Sequence, residues 1–147
     1  MADISAFATK DNADEGVVLP VIIDGIKFPI ALKIYGSDSD VVRNYDRKLL
    51  RKVRLGKDGS AEVKEEVFEE LIDSQDDAVL IRIGGLWSYD WNKKKVVESD
   101  PVILDGKTLG CDKKSYALLI EKLPAIKDWV TKKSNDRTNF LSAGKEN

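Results

Sequence analysis

The sequence predicts an α+β chain in which an N-terminal antiparallel β-hairpin precedes a mostly helical body. Three observations carry this expectation. Two apolar, β-branched runs flank Asp24-Gly25, a dipeptide suited to a tight turn. Beyond Gly36, apolar residues recur at three- and four-residue spacing instead of every second position. Glycine breakers, capping side chains and one well-placed proline divide those stretches.

In chain order, residues 1–15 are polar and acidic with few apolar anchors, and read as a flexible, loosely held arm. Residues 16–141 read as a single domain, which at this size buries roughly 70% of its unfolded surface and needs no disulfide or metal to fold. Its first strand is Val17 to Ile23, where Pro20 lacks a donor N–H and predicts an edge position or an interruption. The partner strand resumes at Ile26 and runs to Tyr35, with Ile30, Leu32 and Ile34 alternating with smaller or polar residues. Gly36-Ser37-Asp38-Ser39-Asp40 ends it and offers N-cap oxygens. A helix over Val41 to Leu55 places Val42, Tyr45, Leu49 and Val53 on one stripe, with Arg43, Arg47, Lys48, Arg51, Lys52 and Arg54 around it. Gly56 to Gly59 breaks it. Ser60 caps an acidic helix whose stripe is Val63, Val67, Phe68, Leu71 and Ile72.

Residues 78–83 fit a buried strand by composition, and equally fit a continuation of the acidic helix, since no breaker stands at Ser74 to Asp77. Gly84-Gly85 loosens the backbone before Leu86 to Trp91. Lys93 to Val97 and Asp105 to Lys107 read as loop with room for a short strand pair. Asp112 caps a helix over Ser115 to Leu123 that turns Tyr116, Leu119, Ile120 and Leu123 to one side. Pro124 suits the first turn of the next helix, whose buried face is Ile126, Trp129 and Val130 with Phe140 beyond. Residues 142–147 are small and polar and read as a disordered tail.

Composition excludes several functions. There are 24 basic and 26 acidic residues, a net charge of −2, which disfavours a nucleic-acid binder. No histidine is present, which removes the commonest general base, the Ser-His-Asp triad and every His-containing zinc site. The single cysteine, Cys111, forms no internal disulfide and has no histidine to activate it. The N-terminus lacks the basic and apolar regions of a signal peptide. No apolar stretch approaches the ~20 residues that span a bilayer. These features favour a reducing cytoplasm and no membrane partner.

Candidate sites are few. The basic helix carries enough Lys and Arg to neutralise phosphates. Residues 40–57 sum to about +5, however, and residues 58–77 to about −8, so two antiparallel helices would face each other with opposite charge. Asp38 and Asp40 read as caps, because no EF-hand spacing surrounds them. Gly84-Gly85 lacks the Gly-Lys-Ser/Thr ending of a phosphate loop. Trp87, Tyr89, Trp91 and Trp129 remain as candidate partner-binding residues, since aromatics are favoured at interfaces as well as in cores. No catalytic, cofactor-binding or metal-binding residue is assigned, and the chain is expected not to be an enzyme.

The order of features nevertheless resembles a known class. An apolar hairpin closes on Gly36-Ser37-Asp38-Ser39-Asp40-Val41-Val42-Arg43. A basic and then an acidic helix lead into the apolar run Ala78 to Trp87. A loop with Asp-Gly and a helix over Asp112 to Leu123 follow. The chain then reads Leu123-Pro124-Ala125-Ile126-Lys127-Asp128-Trp129-Val130 and Asn135-Asp136-Arg137-Thr138-Asn139-Phe140-Leu141. Over about residues 16–141 this resembles the tail assembly chaperones and related small tail proteins of tailed bacteriophages. The double glycine and Lys93-Lys94-Lys95 depart from the pattern. The resemblance implies the same α+β fold and favours helix over strand for residues 78–83. It implies a non-enzymatic helper in the host cell cytoplasm that binds the tape-measure protein and helps recruit the tail tube protein. A homo-oligomer, such as a ring or a multimer along a long partner, is compatible with that role. The alternative is a structural tail or connector protein that stays in the virion.

Overall fold

The computed structural model describes residues 2–55 and 76–142. The acidic helix expected from Ser60 and the tail from Ala143 lie outside the described residues, and so does the charge pairing expected between the basic and acidic helices. Helix α1 spans Lys10–Glu15, β1 Val17–Ile23, β2 Ile26–Ile34 and α2 Asp40–Leu55. Helix α3 is described over residues 76–80. Strand β3 is Ile83–Asp90, β4 Lys95–Val97, β5 Val102–Leu104 and β6 Lys107–Leu109. The chain closes with α4 (Lys113–Lys122), α5 (Pro124–Asn135) and a 3-10 turn at Arg137–Phe140.

The protein is α+β, and its sheet is antiparallel. The expected hairpin forms: Asp24 and Gly25 both take positive φ, 52° and 77°, the pair of left-handed residues that a tight hairpin turn requires. Asp105 and Gly106 repeat the device, at 51° and 77°, between β5 and β6. Pro20 lies on β1, which is an edge of the sheet, and the register slips between Pro20 and Ile22, as a residue without an N–H demands.

The hairpin is half of a larger sheet, ordered β1-β2-β3-β4, and the body after it is less helical than expected. Helix α3 ends at Leu80, so the helix expected over residues 78–83 stops short. The backbone turns at Ile81 and Arg82, and Ile83 enters β3 opposite Ile34. The physical reason is the alternation from Leu86 to Tyr89. An aromatic segment whose large rings fall at every second position satisfies the open edge of β2 better than it satisfies a helix.

One cluster holds the sheet and helices together. Ile30, Leu32 and Ile34 of β2 share a face with Leu86 of β3. Tyr116, Leu119 and Ile120 of α4 pack there with Ile126, Trp129 and Val130 of α5, and with Phe140. Asp112 caps α4 by accepting a 2.7 Å hydrogen bond from the Ser115 amide, and Pro124 opens α5, both as the sequence predicts. Residues 9–15, read from sequence as part of a loose arm, meet this cluster through α1. Ala13 has no exposed surface, and the Asn12 side-chain amide donates to the carbonyls of Phe140 and Leu141. Ser142, placed in the expected tail, bonds Ala8 through its amide and hydroxyl.

Candidate partner-binding surface

Strand alternation divides the sheet into two faces. The inner face carries Ile30, Leu32, Ile34 and Leu86 against the helices. The outer face carries the residues between them. Ala31 stands opposite Trp87 and Lys33 opposite Gly85 on β2 and β3, while Tyr89 stands opposite Val96 of β4. On β1, Val18 and Ile22 point the same way, and each is 42% exposed.

Three of the four aromatic candidates meet on this outer face. Trp87, Tyr89 and Trp91 follow one another at every second residue along β3 and its end, and all three are half-buried. The Tyr89 and Trp91 rings form an edge-to-face pair, with centroids 4.9 Å apart and planes at 76°. Such pairs contribute about 0.5–1.5 kcal/mol beyond their buried area. The Trp91 indole N–H donates 2.7 Å to the Phe28 carbonyl, which ties the ring to β2. The Lys27 ammonium lies 5.4 Å from the Trp91 ring centroid. The two glycines of the segment explain themselves here. The register shifts between the Lys33 and Ile34 pairings, which places Gly84 at a bulge against Tyr35, where a Cβ would lie 2.7 Å from the ring. At Gly85 a Cβ would meet the tip of the Trp87 indole at 2.2 Å. The indole therefore lies back along the strand, over the space a side chain would fill.

Trp129 is elsewhere. It is 7% exposed, packed in the inner cluster on α5, and is not brought together with the other three. Its buried stripe position beside Ile126 and Val130 was the signal. Sequence reading missed Lys27 and Lys33 as companions of the aromatics. Their phase on β2, opposite to Ile30, Leu32 and Ile34, is what identifies them.

The remaining candidates have local roles. The capping expected of Gly36 to Asp40 falls on Ser39, whose hydroxyl accepts from the Val42 amide. Asp38 instead accepts from the Thr9 hydroxyl at 2.6 Å and from Nε and Nη2 of Arg137 at 2.9 and 3.1 Å. The Arg137 and Thr9 bonds hold its carboxyl below the ordinary carboxylate value. Asp40 and Asp14 share Lys10. The exposed Cys111 thiol exchanges weak bonds with the Leu86 backbone. Burial pushes the neighbouring Tyr116 hydroxyl up to about 12. Arg43, Arg47, Lys48 and Arg51 of α2 are exposed. A cavity of about 410 Å³ between α3 and α5 is lined by Val79, Arg82, Lys127 and Thr131, and burial lowers the Arg82 pKa from its ordinary value. Among the described residues, no three His, Cys, Asp or Glu side chains are grouped to hold a metal ion, and no helix is long and apolar enough to cross a membrane.

No protein-family model, curated protein or solved structure matches the chain.

Proposed function

We propose that the chain works by binding other proteins, as a non-enzymatic bacteriophage tail assembly chaperone that engages the tape-measure protein and assists tail tube assembly in the host cell cytoplasm. The order of sequence features points to the class. One structural observation supports the mode of action: Trp87, Tyr89 and Trp91 stand in a row on a sheet face whose strand positions also leave Val18 and Ile22 in water. A sheet face with wide aromatics and exposed aliphatics is a surface suited to an apolar segment of a partner. Helices α4 and α5 bury their apolar residues on the other side.

Coexpression tests this directly. The tape-measure protein encoded by the same phage genome should move from the insoluble to the soluble fraction when this chain is present. An unchanged fraction overturns the proposal. Mass spectrometry of purified particles then separates a chaperone, absent from the virion, from a structural tail or connector protein present in stoichiometric amount.

A further inference from the structure

We infer that the outer face of the sheet is a seat for a single amphipathic helix of a partner protein, one whose apolar stripe is about four turns long and ends in carboxylates. The inference rests on the reading that the chain binds proteins, and it assigns the surface and the chemistry of what lies on it.

The aromatic row fixes the mode of contact. It stands on β3, which is paired on both sides, to β2 and to β4. No strand can be added there, so a partner must lie across the face rather than extend an edge. A helix is about 10 Å across, which matches two strand spacings of about 4.8 Å, so one helix covers β2 and β3 together. The face is shaped for this. Gly85 lets the Trp87 ring lie along the strand, and Ala31 opposite it is fully covered, which keeps the middle of the face low. Tyr89 and Trp91 form a wall at one end.

Charge fixes the chemistry. The strand positions of this face carry Lys27 and Lys33 and no carboxylate, in a chain whose net charge is −2. The two lysines bracket the row. Lys33 lies opposite Gly85 at its start, and Lys27 lies over the Trp91 ring at its end. Lys33 stands six positions after Lys27 on the strand, a span of about 20 Å. A helix rises 1.5 Å per residue, so the matching carboxylates stand about 13 residues apart, close to four turns. A complementary ammonium–carboxylate pair at each end would set the register and direction of the helix more than its affinity.

The experiment uses two synthetic peptides of about 22 residues. Both carry a leucine stripe at helical spacing; one has glutamates at both ends of the stripe and the other has lysines there. Tryptophan emission of the intact protein reads binding. The acid-ended peptide should bind at least about tenfold tighter, and Lys27→Glu with Lys33→Glu should reverse that order. Trp87→Ala should weaken both peptides. The charge variant alters only side chains on the solvent-facing side of β2, and an unchanged melting temperature checks that it folds. Equal binding of the two peptides, or an order unaffected by the charge variant, overturns the inference. So does preferential binding of oligothymidylate, which would assign the face to a single strand, or concentration-dependent shielding of the indoles, which would assign it to a second copy. Coexpression with the tape-measure protein keeps the two proposals separable. If the wild type and the Trp87→Ala/Lys27→Glu/Lys33→Glu variant solubilise it equally, the seat is wrong and the chaperone reading stands. If the acid-ended peptide binds but the wild type solubilises nothing, the chaperone reading falls and the seat stands.

Discussion

The two faces of one strand, β2, differ in what they touch. Ile30, Leu32 and Ile34 are buried against α4 and α5, at 7%, 0% and 0% exposure. The alternate positions Lys27 and Pro29 stand in water, and Lys33 is half-buried beside the aromatic row. Both faces contain large apolar side chains. The buried inner ones on β2 are aliphatic and pack with the helices; the outer face adds the aromatics of β3, which rest on a glycine, an alanine and a backbone carbonyl. The difference separates two jobs. Packing of the inner face supplies stability, because Ile30, Leu32 and Ile34 have lost nearly all their water. The outer face retains water to lose, so its burial remains to be gained when a partner binds.

The largest test of that division compares Leu32→Ala with Trp87→Ala. Leu32 is fully buried, and its truncation leaves a cavity that the helices close only in part. Urea unfolding should show a loss of about 2–5 kcal/mol. Trp87 is larger but only half-buried, and its loss should cost about 1–2 kcal/mol while leaving cooperative unfolding intact. If the tryptophan proves as costly as the leucine, the outer face belongs to the core and the division fails.

Two glycines provide the next test, one on each side. At Gly36 a Cβ would lie 2.7 Å from the Ala13 Cβ and 3.2 Å from its Cα, so α1 itself would have to move. Gly36→Ala should cost about 2 kcal/mol. At Gly85 the clash is with the far end of the Trp87 indole, which can swing outward. Gly85→Ala should cost about 1 kcal/mol or less and shift tryptophan emission to the red as the ring enters water. Combining it with Trp87→Ala should remove most of that cost, because the two side chains share one space.

Much of this was legible in the sequence, and the failures have physical causes. The hairpin could be read because Asp24-Gly25 and the alternation of Ile30, Leu32 and Ile34 agree. The α4–α5 pair could be read because Asp112 and Pro124 mark its starts. β3 could not, because an apolar run after a helical stretch suits either structure, and only the open edge of β2 decides between them. The docking of α1 was invisible for a similar reason. Asn12 is polar, and the two carbonyls it satisfies lie almost the whole chain away, at Phe140 and Leu141. Of the aromatic row, the period of two was in the sequence all along. Which side of the sheet the helices would choose was not, so the face that Trp87, Tyr89 and Trp91 share could not be assigned, whereas the stripe of Ile126, Trp129 and Val130 already set Trp129 apart.

The smallest expected effect lies at the rim between the two faces, where Asp38 ties Thr9 to Arg137. Those bonds hold the folded carboxyl below its ordinary value, so the folded chain takes up this proton less readily than the unfolded one. The stability it contributes is present above about pH 4 and is lost as pH falls through the depressed folded value. Arg137 is largely exposed, which limits the contribution to about 1 kcal/mol. Asp38→Asn should therefore unfold at lower urea than the wild type at pH 7, and the gap should close as pH falls below 4. Asp14, Asp112 and Asp136, also lowered, leave an acid dependence that both proteins share. Peptide binding to the outer face should be the same in the two proteins at pH 7, because Asp38 lies on neither face. A change in binding would mean that the rim and the outer face are coupled.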